Sequence, residues 1–451
     1  MRLLTFRQQK GYLIVGSFLR RYLVHALFCS VLLGGVPGMV FAETLLPELV
    51  AEALARNPEI RAAEARWRMF EHKVLPSRSL NDPQLTIAFS NYPVDSFNAD
   101  DTPMTGNDVK IAQKFPYPGK LGLKGEVAET EAEWYRAAYE ETRLKVRFGL
   151  KDVYYRLFQQ DKAIAIVEKN LRLLDDTIRL AETRYEVGQG LQQDVLKAQV
   201  ERSKLMDSLF TLRQGREEAL AALNAILDRP AGSSQSGLPE AGLTPFDFTL
   251  AGLQEQAEES RPMFAAYRSL LERFEAKEKL ARLDYKPDLT VFAGYRFRDD
   301  GLADGGTDFA SAGVTINLPI FGEKRSEAVA EARAGSRMAR RQLEDFRGKV
   351  AANLHSAFAR KERSRDQAML YKTGLVPQAS QAFQASMSAY QVGKVDFLNV
   401  LNSLLGLYRY EIDYFRAVAE YQRSLARIEY EAGLNRARIQ QSYQNNDPKE
   451  R

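Results

Sequence analysis

Side chains that could do chemistry gather at two short stretches. Tyr185-Glu186-Val187-Gly188-Gln189-Gly190-Leu191 runs on to Asp194, and Tyr390-Gln391-Val392-Gly393-Lys394-Val395-Asp396 runs on to Asn399 and Asn402. Each sets a phenol, carboxylates and amides around a glycine that can take positive φ. Charge and hydrogen bonding are available there, but no nucleophile, base and orienting group stand together, so no enzymatic activity is expected. His25, His72 and His355 are the only histidines and none has metal-ligand spacing, so neither a metal nor a cofactor is expected. Gly119, Gly122 and Gly125 punctuate a stretch beginning Phe115-Pro116-Tyr117-Pro118, but no Gly-Lys-Ser/Thr follows them, so they describe a bend and not a phosphate cradle. Asp95, Asp100 and Asp101, with Asp299, Asp300 and Asp304, form acidic loops for which solvated charge is the default reading and weak cation capture the lesser one.

The elements that carry the two stretches occur twice. Pro83 to Phe89 and Val109 to Phe115 are strand-like, and a proline-free helical run then leads to Gly188. Pro287 to Ala293 and Val314 to Pro319 repeat the strand pair before a run to Gly393. Pro83 and Pro287 are offset by 204, whereas Tyr185, Gly188 and Val195 match Tyr390, Gly393 and Val400 at 205. In the first run Leu150, Val153, Leu157, Ile164, Val167, Leu171, Leu174, Ile178, Ala181 and Tyr185 recur at intervals of three and four, a heptad seam. A helix over 121–187 would be on the order of 100 Å long, too long to belong to a compact globule. Gly188 and Gly190 end it, and a return helix over 191–227 follows. In the second copy the helices are expected over 323–392 and 396–430, with Pro377 bending the first. Asp396 stands where an N-cap for the return helix belongs.

The expected order is thus a leader (1–42), a first repeat (43–245) with short helices, a hairpin at 82–117, its two helices and a linker at 229–245, then a second repeat (246–433) with short helices from Leu250 to Leu283 and a hairpin at 287–320. A polar tail (434–451) is expected to fray. The leader has Arg20-Arg21 before an apolar run and Ala42 before Glu43, the pattern of a cleaved secretory signal. It carries five basic residues and no acidic ones, so its removal leaves 58 basic against 59 acidic side chains and gives no reason to expect nucleic-acid binding. Cys29, the single cysteine, lies within its apolar run in a poor lipobox.

The strands alternate. Val314, Ile316 and Leu318 interleave with Gly313, Thr315 and Asn317, and Val109, Ile111 and Gln113 with Lys110, Ala112 and Lys114. One apolar and one small or polar face suit lipid on one side and water on the other, at about nine to eleven residues per crossing. Four strands cannot close, and open edges in lipid leave backbone groups unpaired at several kcal/mol each. Three chains would supply twelve strands, whereas the eight from two would make a barrel filled by side chains.

With these features together the chain resembles the TolC family of outer-membrane efflux proteins over nearly all of residues 43–433. The resemblance rests on Arg184-Tyr185-Glu186-Val187-Gly188 with Asp194-Val195-Leu196-Lys197-Ala198-Gln199, and on Ala389-Tyr390-Gln391-Val392-Gly393 with Val400-Leu401-Asn402. It implies a mainly α fold with a small β part: long antiparallel coiled-coil helices in a trimeric α-barrel, plus four strands per chain in a twelve-stranded transmembrane β-barrel. It further implies an exit duct in the outer membrane of a Gram-negative bacterium with a large periplasmic portion. The implied partners are two further copies, outer-membrane lipid, a periplasmic adaptor (membrane fusion) protein and an inner-membrane pump of the RND or ABC type. Carried over by residue, the adaptor-binding tip is Val187, Gly188, Gln189, Gly190 and Leu191 with Val392, Gly393, Lys394 and Val395. The implied constriction is Asp194, Tyr390, Asn399 and Asn402, and Asp396, one turn before Asn399 on the same face, is either a replacement for one charged ring or simply the N-cap. Asn399 and Asn402 stand where the family prototype has aspartates, and Val395 where it has an arginine. The competing reading is a periplasmic coiled-coil adaptor or scaffold without a pore. The Phe115-Pro116-Tyr117-Pro118-Gly119-Lys120 stretch has a faint likeness to members that accompany heavy-metal pumps.

Overall fold

The computed structural model describes residues 46–235 and 238–434. The leader, Cys29, part of the linker and the tail after Leu434 lie outside the described residues. The elements run α1 (Leu46–Arg56), α2 (Pro58–Arg78), β1 (Gln84–Ser90), β2 (Gly106–Phe115), α3 (Lys120–Glu186), α4 (Gln192–Ile226), α5 (Leu250–Ser260), α6 (Pro262–Leu283), β3 (Leu289–Phe297), β4 (Phe309–Ile316), α7 (Gly322–Leu370), a π turn (Tyr371–Leu375), α8 (Val376–Gln391) and α9 (Phe397–Glu431).

Local chemistry sets the boundaries. Asn57 caps α2, its side-chain oxygen accepting from the N–H groups of Glu59 and Ile60, with Pro58 in the first turn where no N–H is missed. The same side chain donates to the Ile226 carbonyl at 2.9 Å, tying the start of α2 to the end of α4. α3 is 67 residues long. Its seam buries Leu150, Val153, Leu157, Val167, Leu174, Ile178 and Ala181, while Tyr185 is exposed, so the seam ends one turn short of the sequence reading. Burying each such leucine contributes about 1.5–3 kcal/mol. The seam packs against α9 and α4 near the helix turns, and against α1 and the far end of α4 toward the strands.

The four strands make one antiparallel sheet in the order β1-β2-β3-β4. β2 and β3, at 10 and 9 residues, have the expected length, whereas β1 and β4, at 7 and 8, are shorter. β4 begins at Phe309 and ends at Ile316, not at Pro319. Proline has no N–H to donate to a ladder, and the Ile320 N–H already folds back to Leu318 O at 2.9 Å.

Buried positions on the two long helices match at an offset of 204 near the strands: Ala128 with Ala332, Val146 with Val350, Leu150 with Leu354, Val153 with Ala357, Leu157 with Lys361. Nearer the turns the offset is 205, as in Ile178 with Phe383. The π turn lies between, and a π turn is one residue inserted into an α-helix. The interruption that Pro377 led one to expect is therefore centred just ahead of it.

Candidate functional site: a split-faced sheet and a pair of helical turns

The pairing register sorts the strand side chains. Leu85 lies opposite Ile111, Ile87 opposite Val109, Ile111 opposite Ala293, Val109 opposite Tyr295, and Val291 opposite Val314, so these share one face. The other face pairs Thr86 with Lys110, Ala88 with Asp108, Asp108 with Arg296, Lys114 with Thr290, and Thr290 with Thr315. Leu85, Ile87, Phe89, Ile111, Phe297, Val314 and Ile316 are all at least half exposed or nearly so, which is costly for a sheet facing water. Along β3 exposed apolar and half-buried residues alternate through all nine positions, so the polar face is the more enclosed of the two. Among the described residues the edge strands β1 and β4 have no further partner.

At the rim, one residue before β3 and outside the strands, Asp288 ties the sheet to α3. It accepts from Lys120 Nζ at 2.9 Å and from the Tyr117 N–H at 3.0 Å, and lies 3.3 Å from Lys114 Nζ. Partial burial works against its charged form, but these donors prevail and hold the carboxyl at about 2.

The two helical turns share one geometry. Gly188 and Gly393 both have φ +72°. Gly188 N–H donates to Tyr185 O at 3.0 Å and Gln189 N–H to Arg184 O at 2.8 Å. Likewise Gly393 N–H donates to Tyr390 O at 2.9 Å and Lys394 N–H to Ala389 O at 2.8 Å. This doubled bond pattern is the Schellman motif, which satisfies the last carbonyls of each long helix. Val187, Gly188, Gln189, Leu191, Val392, Gly393 and Lys394 are exposed, with Gly190 and Val395 half-buried.

Of the constriction candidates, Tyr390 is buried, its ring packed edge-on against Phe397 at 5.7 Å. Burial pushes its hydroxyl above the usual range; the Arg184 charge opposes that and the Asp194 charge adds to it. Asp194 is half-buried in the first turn of α4. Asp396, Asn399 and Asn402 are exposed on α9 or at its start, at intervals of three. Asp396 does occupy the N-cap position with extended backbone, yet its side chain accepts no bond from the first turn, so the cap role falls to its backbone alone. Sequence reasoning missed Arg184 as a site residue. Its Nη1 donates to the Tyr390 carbonyl, its Nη2 reaches Gln189 O at 3.5 Å, and its guanidinium lies 4.8 Å from the centre of the Tyr390 ring. Arg184 opens the first of the paired motifs, but a contact across 206 positions leaves no local signal.

A sheet with one lipid-compatible face and two open edges, continued by helices on the order of 100 Å long, defines an outer-membrane channel with a large periplasmic portion. The outer membrane efflux protein family matches residues 49–229 and 253–434, and the chain belongs to it. It is 27% identical over 432 residues to the pyoverdine export outer membrane protein OpmQ of Pseudomonas aeruginosa, covering 88% of this chain and 85% of that one. It is 25% identical over 315 residues to the cobalt-zinc-cadmium resistance protein CzcC of Cupriavidus metallidurans, covering 69% and 73%. Its fold is that of the outer membrane protein VceC of Vibrio cholerae, with a TM-score of 0.73 at 19% identity over 86% of this chain and 96% of that one. Members of the family are channels, and the reading as an adaptor without a pore finds no support.

Proposed function

We propose that three copies close into a single duct, the exit of a tripartite export system, whose helical turns meet a periplasmic adaptor carrying cargo from an inner-membrane pump. The observation that carries this is an imbalance between the two return helices. Leu401 on α9 is 3% exposed, within a cluster formed with α3 and α8, whereas Leu196, its counterpart on α4, is 54% exposed. Val200 is likewise 54% exposed, while its counterpart Leu405 packs against the same cluster. α9 packs on α3 as well as on its own hairpin partners α7 and α8, whereas among the described residues α4 packs chiefly on its hairpin partner α3 and has no such second neighbour along its length. A neighbouring copy offering α7 and α8 would supply it, head to tail, and such a contact closes into a ring. The same ring pairs β4 of one copy with β1 of the next and removes the open edges.

The tip of the duct is then Val187 to Leu191 and Val392 to Val395, with Asp194, Tyr390, Asp396, Asn399 and Asn402 lining or bracing its narrowest part. The exposed carboxylate of Asp396, free of capping, favours its role as a charged ring. The test is the mass of the detergent-extracted protein, measured with the detergent accounted for. Three chains per particle, dissociating only on heating, is the expected result. A monomer stably inserted in outer membranes would overturn it.

A further inference from the structure

The polar face of the sheet carries four charged side chains: Asp108, Lys110, Lys114 and Arg296. Arg296 grips Asp108 through two bonds of 2.7 and 2.9 Å. Lys114 and Lys120 share Asp288, and Asp284 lies 3.3 Å from Lys120 Nζ, so two cations meet two carboxylates. Lys110 is the exception. Among the described residues no carboxylate pairs with it; its Nζ lies 4.0 Å from the centre of the Phe292 ring, two strands' side chains stacked on the same face. The position beside that ring is kept open by glycine, because a Cβ at Gly313 would meet Phe292 at 2.6 Å. A cation on an aromatic face is held without being neutralised, and the rest of its surface stays available to an anion.

We infer that Lys110, seated on Phe292, makes the β-barrel lumen prefer anionic solutes. This rests on the reading of three copies closed with the polar face inward. Strands about 4.8 Å apart and tilted by about 40° give a twelve-stranded barrel a backbone radius of about 12 Å. Lysines extending roughly 6 Å inward then bring three ammonium groups to about 10 Å from one another, a Debye length at 0.1 M salt. The three fields overlap across the lumen, so the band acts on a passing solute as one positive ring. Selection there concerns the barrel, whatever the periplasmic tip admits.

Current through the whole channel would report its narrowest point, so the test reads the barrel locally. Thr86, directly opposite Lys110, is changed to Cys in full-length protein with Cys29→Ser, inserted in outer membranes. Its modification by a small anionic and a small cationic methanethiosulfonate is timed with and without Lys110→Gln. Three charges at about 10 Å predict that Lys110→Gln lowers the anionic-to-cationic rate ratio about twenty-fold at 10 mM salt and leaves it nearly unchanged at 1 M. An unchanged ratio at 10 mM, with both reagents reacting, overturns the role of Lys110. A control separates the underlying reading: Ile87→Cys lies on the opposite face, and if it reacts from water while Thr86→Cys does not, the faces are inverted and the closed-duct reading fails with the inference.

Discussion

Replacing Arg184 with glutamine should open the tip. The guanidinium makes a charge-assisted bond to the Tyr390 carbonyl and covers the Tyr390 ring, linking the end of α3 to the end of α8. A hydrogen bond from a charged group contributes about 1.5–3 kcal/mol, and a half-exposed cation–ring contact about 0.5–1 kcal/mol. The carbonyl also accepts from Gly393 N–H at 2.9 Å, so removing the arginine leaves no orphaned acceptor. A net loss of about 2 kcal/mol per chain follows, roughly 6 kcal/mol in a trimer whose tips move together, and about 5.5 kcal/mol is enough to take a two-state equilibrium from 1:99 to 99:1. Single-channel recording in planar bilayers should show a lasting high-conductance state in Arg184→Gln with the oligomer intact on unheated gels. Because the contact is to the ring face and the main chain, Tyr390→Phe should behave as wild type, and Tyr390→Leu, which keeps the carbonyl and loses the aromatic face, should open less often than Arg184→Gln. Wild-type conductance in Arg184→Gln would mean that the two turns move as one body and that the latch lies between chains.

Three further outcomes are expected. Gly188→Val or Gly393→Val should abolish export while the protein still reaches the membrane, because φ +72° costs a β-branched residue about 1–2 kcal/mol or more and reshapes the exposed turn; at Gly393 the new Cβ also meets Arg184 Nη2 at 3.4 Å. Export surviving both changes would remove the turns from the docking surface. Asp396→Asn should reduce cation selectivity and block by multivalent cations without loss of stability, since asparagine caps a helix as well and the carboxylate makes no cap bond; unchanged block would leave Asp194 and the two asparagines as the constriction. Asp288, with a carboxyl held at about 2 against an ordinary 3.8, contributes stability that is complete above the ordinary value and lost as pH falls toward 2. Asp288→Asn should therefore lower the melting temperature at pH 7 and flatten its dependence on pH between about 4 and 2; equal acid profiles for the two proteins would contradict the clamp.

The alternation of the strands and the seam of α3 were legible because each is a local period, two or seven residues long, that burial must respect. Valines and isoleucines at every second position told the faces apart before any register was known. What was not legible depends on contacts far apart in sequence or on backbone detail. β4 stops at Ile316 because of where Pro319 falls in a ladder whose partner is β3. Tyr185 fits the heptad, yet it lies in the last turn of α3, one turn beyond the last buried seam position, and is 47% exposed. Asp396 has the residue type and position of a cap, yet its side chain makes no cap bond. Arg184 opens one of the paired motifs, but only the approach of the second turn gives it a role.

The change of offset between the repeats, from 204 to 205, has a structural meaning that neither copy alone reveals. One extra residue in a continuous α-helix would rotate everything beyond it by about 100°. Phe383 and Tyr390 would then leave the core they share with Leu174, Ile178 and Phe397. The π turn absorbs the residue instead, with Val376 N–H donating five residues back to Tyr371 O. Pro377, immediately beyond, has no N–H to restore the ordinary ladder there, so the distortion is fixed in place. Below it α8 faces inward in the same phase as α3, and that phase is what presents the Tyr390 carbonyl and ring to Arg184. The two halves of the molecule are thus equivalent at their turns and unequal in the helices leading to them, and the inequality sits on the helix that carries the buried tyrosine.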